Sequence, residues 1–386
     1  MRNYGLRRVF FLFRFLAYRF ILLYDLLTRR QPRHPLPSDM GSILLVELTR
    51  IGDVLITTPV IKAVRNKYPG AVINMIVQSG ASDIISENPY LNCVTEIKRG
   101  RKLARLMVVS ALLRKKKIDL VISLSPGIRN SWIAHSCGAR YKVGYLNDRS
   151  RKPIFFSDHR IEARGFVYEK NISYHQNDHL ITRTARAVAP LGIECPDTNL
   201  EVFLRPEARI AANRWLKSDH ICIAIHPDSG WEHKSWPKKN FVRLIKMIMD
   251  RLGYRKVQII IMGGAEDSKS LKFIADAVED ELSVLQGYPL AIVSSVISRA
   301  DLFIGNDSGP LHIAEAFETP FVALFGPSLP ETTGPLTKGA FIRKEVECSP
   351  CHQTLCLRAQ NGNKTCMELI EVGEVFESVA EMLQGI

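Results

Sequence analysis

Hydrophobic and polar positions divide the chain into three regimes. The first is MRNYGLRRVFFLFRFLAYRFILLYDLLTRRQPRH, residues 1–34. Projected at about 100° per residue, Arg7, Arg8, Arg14, Arg19, Asp25, Arg29 and Arg30 share an arc of roughly 160°, and Leu6, Phe10, Phe13, Phe20, Tyr24 and Leu27 lie among the residues that fill the rest. That spacing predicts a cationic amphipathic helix. The second regime, QPRHPLPSDMG, is a linker, because its three prolines break any helix. From Ser42 onward, short β-rich apolar runs alternate with helix-like stretches. Strands are predicted at Ile43–Leu48, Ala71–Val77, Val94–Ile97, Leu120–Leu124 and Tyr141–Gly144, then at Ile221–Ile225, Val257–Met262, Ser283–Gln286, Leu302–Ile304 and Phe321–Phe325. Helices of the second series are expected near Pro206–Lys217, Lys239–Arg251, Asp267–Val278, Leu290–Arg299 and Pro310–Phe317. Such βα alternation implies parallel sheets covered by helices on both faces, an α/β class. The interval Val188–Pro206 holds three prolines and reads as an edge strand and domain boundary. The expected organisation is an arm and linker (1–38), two doubly wound domains (39–200 and 201–365) facing across a cleft, and a C-terminal helix (366–386).

Composition agrees with two domains. The 386 residues are 46% hydrophobic and 24% charged, enough for two separate cores, which excludes a disordered chain or a small disulfide scaffold. The 52 Lys+Arg against 39 Asp+Glu give +13, but residues 1–34 hold eight Arg and one Asp, so the arm carries +7 and the remaining chain +6. The arm's uncharged runs are far shorter than the ~20 residues that span a bilayer. Its aromatic, arginine-rich faces suit the headgroup layer of an anionic membrane. A helix packed on its own protein remains the alternative; a secretory signal would need an unbroken apolar core and a small-residue cleavage site, and neither is present. Nucleic acid is disfavoured, because the body has no comparable basic stripe and no nucleic-acid motif.

Candidate chemistry gathers at predicted strand ends. The first strand runs into Thr49-Arg50-Ile51-Gly52-Asp53, where Asp53 is either a general base or the cap of a turn. Three loops converge in the second series: His226-Pro227-Asp228-Ser229-Gly230-Trp231 leading to Lys234, Met262-Gly263-Gly264 with Glu266, and Asn306-Asp307-Ser308-Gly309-Pro310-Leu311-His312. In the last, Asp307 or Ser308 can cap a helix, Gly309 leaves room for a ligand, and Pro310 fits the first turn. The free amides and dipole then suit a diphosphate, with Lys234 adding a point charge; a merely well-capped helix is the plainer reading. Neither G-x-G-x-x-G nor G-x-x-x-x-G-K-[ST] occurs, which argues against a dinucleotide oxidoreductase and a P-loop NTPase.

These segments together, from Ile43-Leu44-Leu45-Val46 through Arg50-Ile51-Gly52-Asp53-Val54-Leu55 and Thr58-Pro59 to Asp307-Ser308-Gly309-Pro310-Leu311-His312 and Phe325-Gly326-Pro327, resemble glycosyltransferase family 9, the ADP-heptose:lipopolysaccharide heptosyltransferases. The resemblance covers residues 42–386. It implies a GT-B fold of two Rossmann-like domains, with acceptor on the first, nucleotide sugar on the second and the C-terminal helix returning to the first. It further implies inverting transfer of heptose from ADP-heptose to a lipopolysaccharide core or related lipid-linked glycan, with no metal cofactor required, at the cytoplasmic face of a bacterial inner membrane. By motif, Asp53 matches the catalytic base. Lys234 matches a donor-phosphate ligand, Glu266 a ribose ligand, and Asp307, Ser308, Gly309 and His312 the donor turn, with Ser229 and Gly230 near phosphate. Arg129 is the acceptor-side candidate. Another nucleotide sugar or glycan, or an inactive nucleotide-sugar-binding scaffold, is the competing outcome. The arm is an addition to the family pattern. The cluster Cys348-x2-Cys351-x4-Cys356-x9-Cys366 is open to structural zinc, disulfides or reduced packing, its last spacing being unlike a zinc ribbon.

Overall fold

The computed structural model describes residues 39–98, 103–125, 128–146, 170–173, 178–252, 256–278, 282–351 and 356–384. The predicted amphipathic arm lies outside the described residues. The first sheet contains β1 (Ser42–Glu47), β2 (Val72–Gln78), β3 (Cys93–Ile97), β4 (Leu120–Ser123), β5 (Tyr141–Leu146) and β6 (Lys170–Ser173) in the order β3-β2-β1-β4-β5-β6. The second contains β7 (Ile221–His226), β8 (Val257–Gly263), β9 (Ser283–Gln286), β10 (Leu302–Asn306), β11 (Phe321–Phe325) and β12 (Gly339–Arg343) in the order β12-β11-β10-β7-β8-β9. All pairings are parallel. Both sheets therefore share one winding, and each reverses direction at one point: between β1 and β4, and between β7 and β10. Crevices outside the strand C-termini at such reversals are where open α/β sheets hold ligands.

Helices of six or more residues are α1 (Ile51–Ile56), α2 (Thr58–Lys67), α3 (Leu103–Arg114), α4 (Ile128–Ser136), α5 (Leu180–Arg186), α6 (Pro206–Ala212), α7 (Lys238–Leu252), α8 (Ser268–Ala277), α9 (Leu290–Ile297), α10 (Gly309–Ala316) and α11 (Val372–Gln384). The period-2 alternation of each central strand divides its side chains between two cores. From β1, Ile43 and Leu45 pack with Val60, Ile61 and Val64 of α2, while Leu44 and Val46 face Leu113 of α3 and Ile133 and Ala134 of α4. Each such fully buried aliphatic side chain contributes about 1.5–3 kcal/mol. One apolar cluster crosses between domains: Leu55 and Ile56 of α1 join Val293 and Val296 of α9 and Leu311 of α10. Among the described residues no helix is long and apolar enough to cross a membrane.

Three features differ from the sequence expectation. Each sheet has a sixth strand, β6 and β12, at its edge. The Val188–Pro206 interval forms no edge strand; it is held by side chains on α2, with Lys62 Nζ at 3.0 Å from Asp197 Oδ2 and 2.9 Å from Glu201 Oε1, and Glu201 N donating to Thr58 Oγ1. The C-terminal helix does not return to the first domain: Val375, Phe376, Val379 and Leu383 of α11 pack into the core built by Phe241, Leu244 and Ile248 of α7. Trp236, fully buried against Phe241, donates from its indole to Ile370 O just before α11 and ties the segment to the second domain.

Candidate active site

The two sheets bring their reversal points together through the starts of α1 and α10. A Cβ placed on Gly52 would lie 2.9 Å from His312 Cδ2 and 3.5 Å from Gly309 Cα, and one on Gly309 would lie 3.3 Å from Ile51 Cβ. A side chain at Gly52 would force His312 to move, and one at Gly309 would press on Ile51. The side of Gly309 on which a Cβ would project therefore faces α1. At Gly230 a Cβ would lie 2.9 Å from Nη1 of Arg50, the mobile end of a side chain whose guanidinium stacks on the Trp231 ring at 4.9 Å. Arg50 reaches from the first domain onto a loop of the second.

Asp53 occupies the first turn of α1, and its Oδ2 accepts a hydrogen bond from Arg50 N at 3.1 Å. The carboxylate does cap its own helix, and among the described residues no hydrogen bond reaches its Oδ1. Behind it, at the tip of β1, Glu47 is buried (1% exposed). Its Oε1 accepts from Thr49 N and Ser125 Oγ, both at 3.0 Å, and closely from Thr49 Oγ1. Burial, reinforced by the Asp53 charge, pushes the Glu47 carboxyl from 4.5 up to about 7, against the pull of those hydrogen bonds. Sequence reasoning missed Glu47 because a single acidic residue closing a strand carries no motif.

Because the folded chain binds the Glu47 proton more tightly than the unfolded chain, the group's contribution to stability falls as pH rises through that window, by about 3 kcal/mol in total. Glu47→Gln keeps the hydrogen-bond acceptor and cannot ionise. Its stability relative to the native chain is expected to increase by about that amount between pH 4.5 and 8, measured by urea denaturation. A difference that stays flat with pH would rule this out.

In the second domain, Asn306 at the tip of β10 is fully buried and joins the loops: its Oδ1 accepts from Trp236 N (2.9 Å) and its Nδ2 donates to Pro227 O (2.9 Å). Lys234 Nζ lies 2.5 Å from Asp307 Oδ2, which also accepts from Ser328 Oγ. Burial acts to raise the Asp307 carboxyl, but Lys234 and Ser328 outweigh it and hold the group below its ordinary value. Of Asp307 and Ser308, either of which can cap a helix, Ser308 takes the N-cap position of α10 but makes no side-chain cap bond, its Oγ lying 3.4 Å from His226 Nδ1. His312 is buried with Nδ1 at 2.9 Å from Glu315 Oε2. Burial opposes its charged form, but Glu315, Asp307 and Asp53 prevail and raise its pKa. His226 is shifted down by burial, so it is neutral near pH 7.

The other candidates lie around this centre. Ser229 Oγ donates to Trp231 O (2.5 Å) and shapes that loop. Glu266 is exposed beyond β8 and folds back over Gly264, where a Cβ would lie 2.8 Å from Glu266 Oε2. Arg129, on α4, donates to Gln78 Oε1 at 2.6 Å across the tips of the first sheet. Cys348, Cys351, Cys356 and Cys366 are reduced thiols in the structure, and no group of three or more metal-capable side chains is assembled among the described residues. Their loop rests on the turn after β11, with Cys351 N donating to Pro327 O at 2.8 Å.

Two doubly wound domains meeting at their strand tips form the architecture of the GT-B class. The model for glycosyltransferase family 9 (heptosyltransferase) matches residues 108–360, well over half of the chain. The protein belongs to that family. It is 29% identical over 288 residues to lipopolysaccharide heptosyltransferase 3 of Escherichia coli strain K12, covering 71% of this chain and 79% of the relative. A crystal structure of a family 9 glycosyltransferase from Veillonella parvula superimposes with TM-score 0.71 at 21% identity, covering 90% of this chain and 99% of the other. The E. coli heptosyltransferase WaaC with ADP-2-deoxy-2-fluoro heptose gives 0.63 at 19% identity, covering 88% and 99%.

Proposed function

We propose that the protein transfers a heptose from ADP-heptose to the core of lipopolysaccharide or a related lipid-linked glycan, with inversion at the anomeric carbon and without a bound metal. The observation that carries this reading is the contact between α1 and α10, which sets Gly52 against His312 and Gly309 and brings Asp53 near enough to His312 to favour its charged form. The names of the E. coli relative and of the ADP-heptose-analogue complex support the choice of donor and acceptor.

In this mechanism the acceptor hydroxyl gives its proton to Asp53 as its oxygen bonds to the anomeric carbon, and the bond to the diphosphate breaks on the opposite face. The leaving electron pair stays on ADP. Positive charge for that diphosphate comes from the first-turn amides of α10, from Lys234 held by Asp307, from His312, whose charged form Glu315 favours, and from Arg50 beside Gly230. Such fixed donors stabilise the developing charge without a Lewis acid. Glu266, exposed at the β8 tip, holds the ribose in this reading, and Arg129 with the tip of the first sheet faces the acceptor. The cytoplasmic face of the bacterial inner membrane is the corresponding site of action. A transfer assay with ADP-heptose and a lipopolysaccharide core acceptor tests the reading: ADP release is expected only when both substrates are present, and release from neither would overturn it.

A further inference from the structure

Helix α3 carries an apolar face that no part of the described chain covers. Its inner edge is accounted for: Leu113 is buried, Leu106 and Val109 pack against the first sheet's outer core, and Ser110 Oγ lies 2.6 Å from Ser136 Oγ of α4. The opposite edge presents Met107, Val108 and Leu112, at 55%, 60% and 57% exposure. These are three of the nine exposed large apolar side chains among the described residues, gathered within two turns of one helix. A basic run follows directly. Arg114, Lys115, Lys116 and Lys117 are all exposed, and among the described residues no carboxylate pairs with the three lysines.

We propose that this face of α3 docks on an anionic lipid bilayer, with Met107, Val108 and Leu112 entering the acyl boundary and Lys115–Lys117 meeting the headgroups. The chemistry selects among possible occupants. A nucleic acid or acidic protein would match the cations and leave the apolar stripe in water; a second copy of this chain would bring a like-charged basic run to the same contact. An anionic bilayer satisfies both halves of the surface. The direction of the helix fits as well. It leaves the C-terminal side of β3 and returns to the start of β4, so it lies along the strands, and a bilayer under its outer face runs beside the cleft. A lipid-anchored acceptor then reaches the strand tips without leaving its membrane. This inference goes beyond the transfer reaction and does not depend on it; it also differs from membrane contact through residues 1–34.

The test is sedimentation of the full chain with phosphatidylcholine vesicles made with and without phosphatidylglycerol. Two variants are compared with the native protein: Val108→Glu/Leu112→Glu, and Lys115→Glu/Lys116→Glu/Lys117→Glu. Both change exposed side chains only, and an unshifted thermal unfolding midpoint establishes that they are folded. Each is expected to partition onto the anionic vesicles at least about tenfold less than the native chain, since every protein retains the arm and only the α3 face differs. Unchanged partitioning of either folded variant would overturn the proposal. So would a native chain that self-associates in lipid-free buffer while the Val108→Glu/Leu112→Glu variant does not, since the stripe would then belong to a second copy.

Discussion

Asp53→Asn is expected to lower the turnover number about 10²–10⁴-fold while leaving ADP affinity and stability nearly unchanged. The geometry makes this substitution unusually informative. Asp53 has two candidate roles, capping α1 and accepting a proton; Oδ2 takes Arg50 N, and in the proposed mechanism the proton goes to Oδ1, which no hydrogen bond reaches among the described residues. Asparagine retains an acceptor for Arg50 N but has no basicity. A residue important only as a cap would lose little on this change, since an asparagine cap is as good as an aspartate cap to within a few tenths of a kcal/mol. Steady-state kinetics and urea denaturation of the same variant separate the two roles. Full turnover with unchanged stability would remove Asp53 from the chemistry.

The second large effect is expected at Lys234. Its ammonium and the Asp307 carboxylate are 18% and 9% exposed, so neither is well solvated, and Asp307 is kept charged by Lys234 with help from Ser328. Lys234→Met leaves a buried carboxylate without its countercharge, a change that destabilises proteins by about 3–5 kcal/mol. With Lys234 gone, burial raises the Asp307 carboxyl above its ordinary value, so the variant should recover stability as pH falls through that raised value and Asp307 becomes neutral. Adding Asp307→Asn removes the stranded charge, so Lys234→Met/Asp307→Asn is expected to regain most of the stability while still binding ADP weakly. Denaturation and calorimetric titration of the single and double variants check this. A double variant no more stable than Lys234→Met would show that the pair is not the source of the loss.

Most of the architecture was legible because parallel strands covered on both faces read as continuous apolar runs. Five strands of each sheet were predicted within a residue or two of their positions. The sixth strands were not: Lys170–Ser173 is a short polar segment, and Gly339–Arg343 begins on a glycine whose position opposite Phe321 in the sheet gives it meaning only once the fold is formed. The C-terminal helix was assigned to the first domain by family resemblance. Its amphipathic stripe of Val375, Phe376, Val379 and Leu383 was readable, but a stripe does not say which groove it fills, and here the complementary surface is on α7.

The site divides in the same way. Asp53, Lys234, Asp307 and His312 were visible as motif residues, and the structure brings them to one cleft. Gly52 and Gly309 were visible as glycines, but they sit where two domains touch, which spacing along one chain does not reveal. Glu47 and Arg50 act through partners 78 and more residues away in sequence, Ser125 for one and Gly230 for the other. Their roles follow from tertiary placement alone.

The central claim is transfer of heptose from an ADP-linked donor by this cleft. Its most direct measurement is the mass of a lipopolysaccharide core acceptor after incubation with the purified full chain and, in separate reactions, ADP-heptose, UDP-sugars and GDP-sugars. A gain of one heptose is expected with ADP-heptose and no change with the others; a product formed from a UDP- or GDP-sugar but not from ADP-heptose would rule out heptose transfer from ADP-heptose.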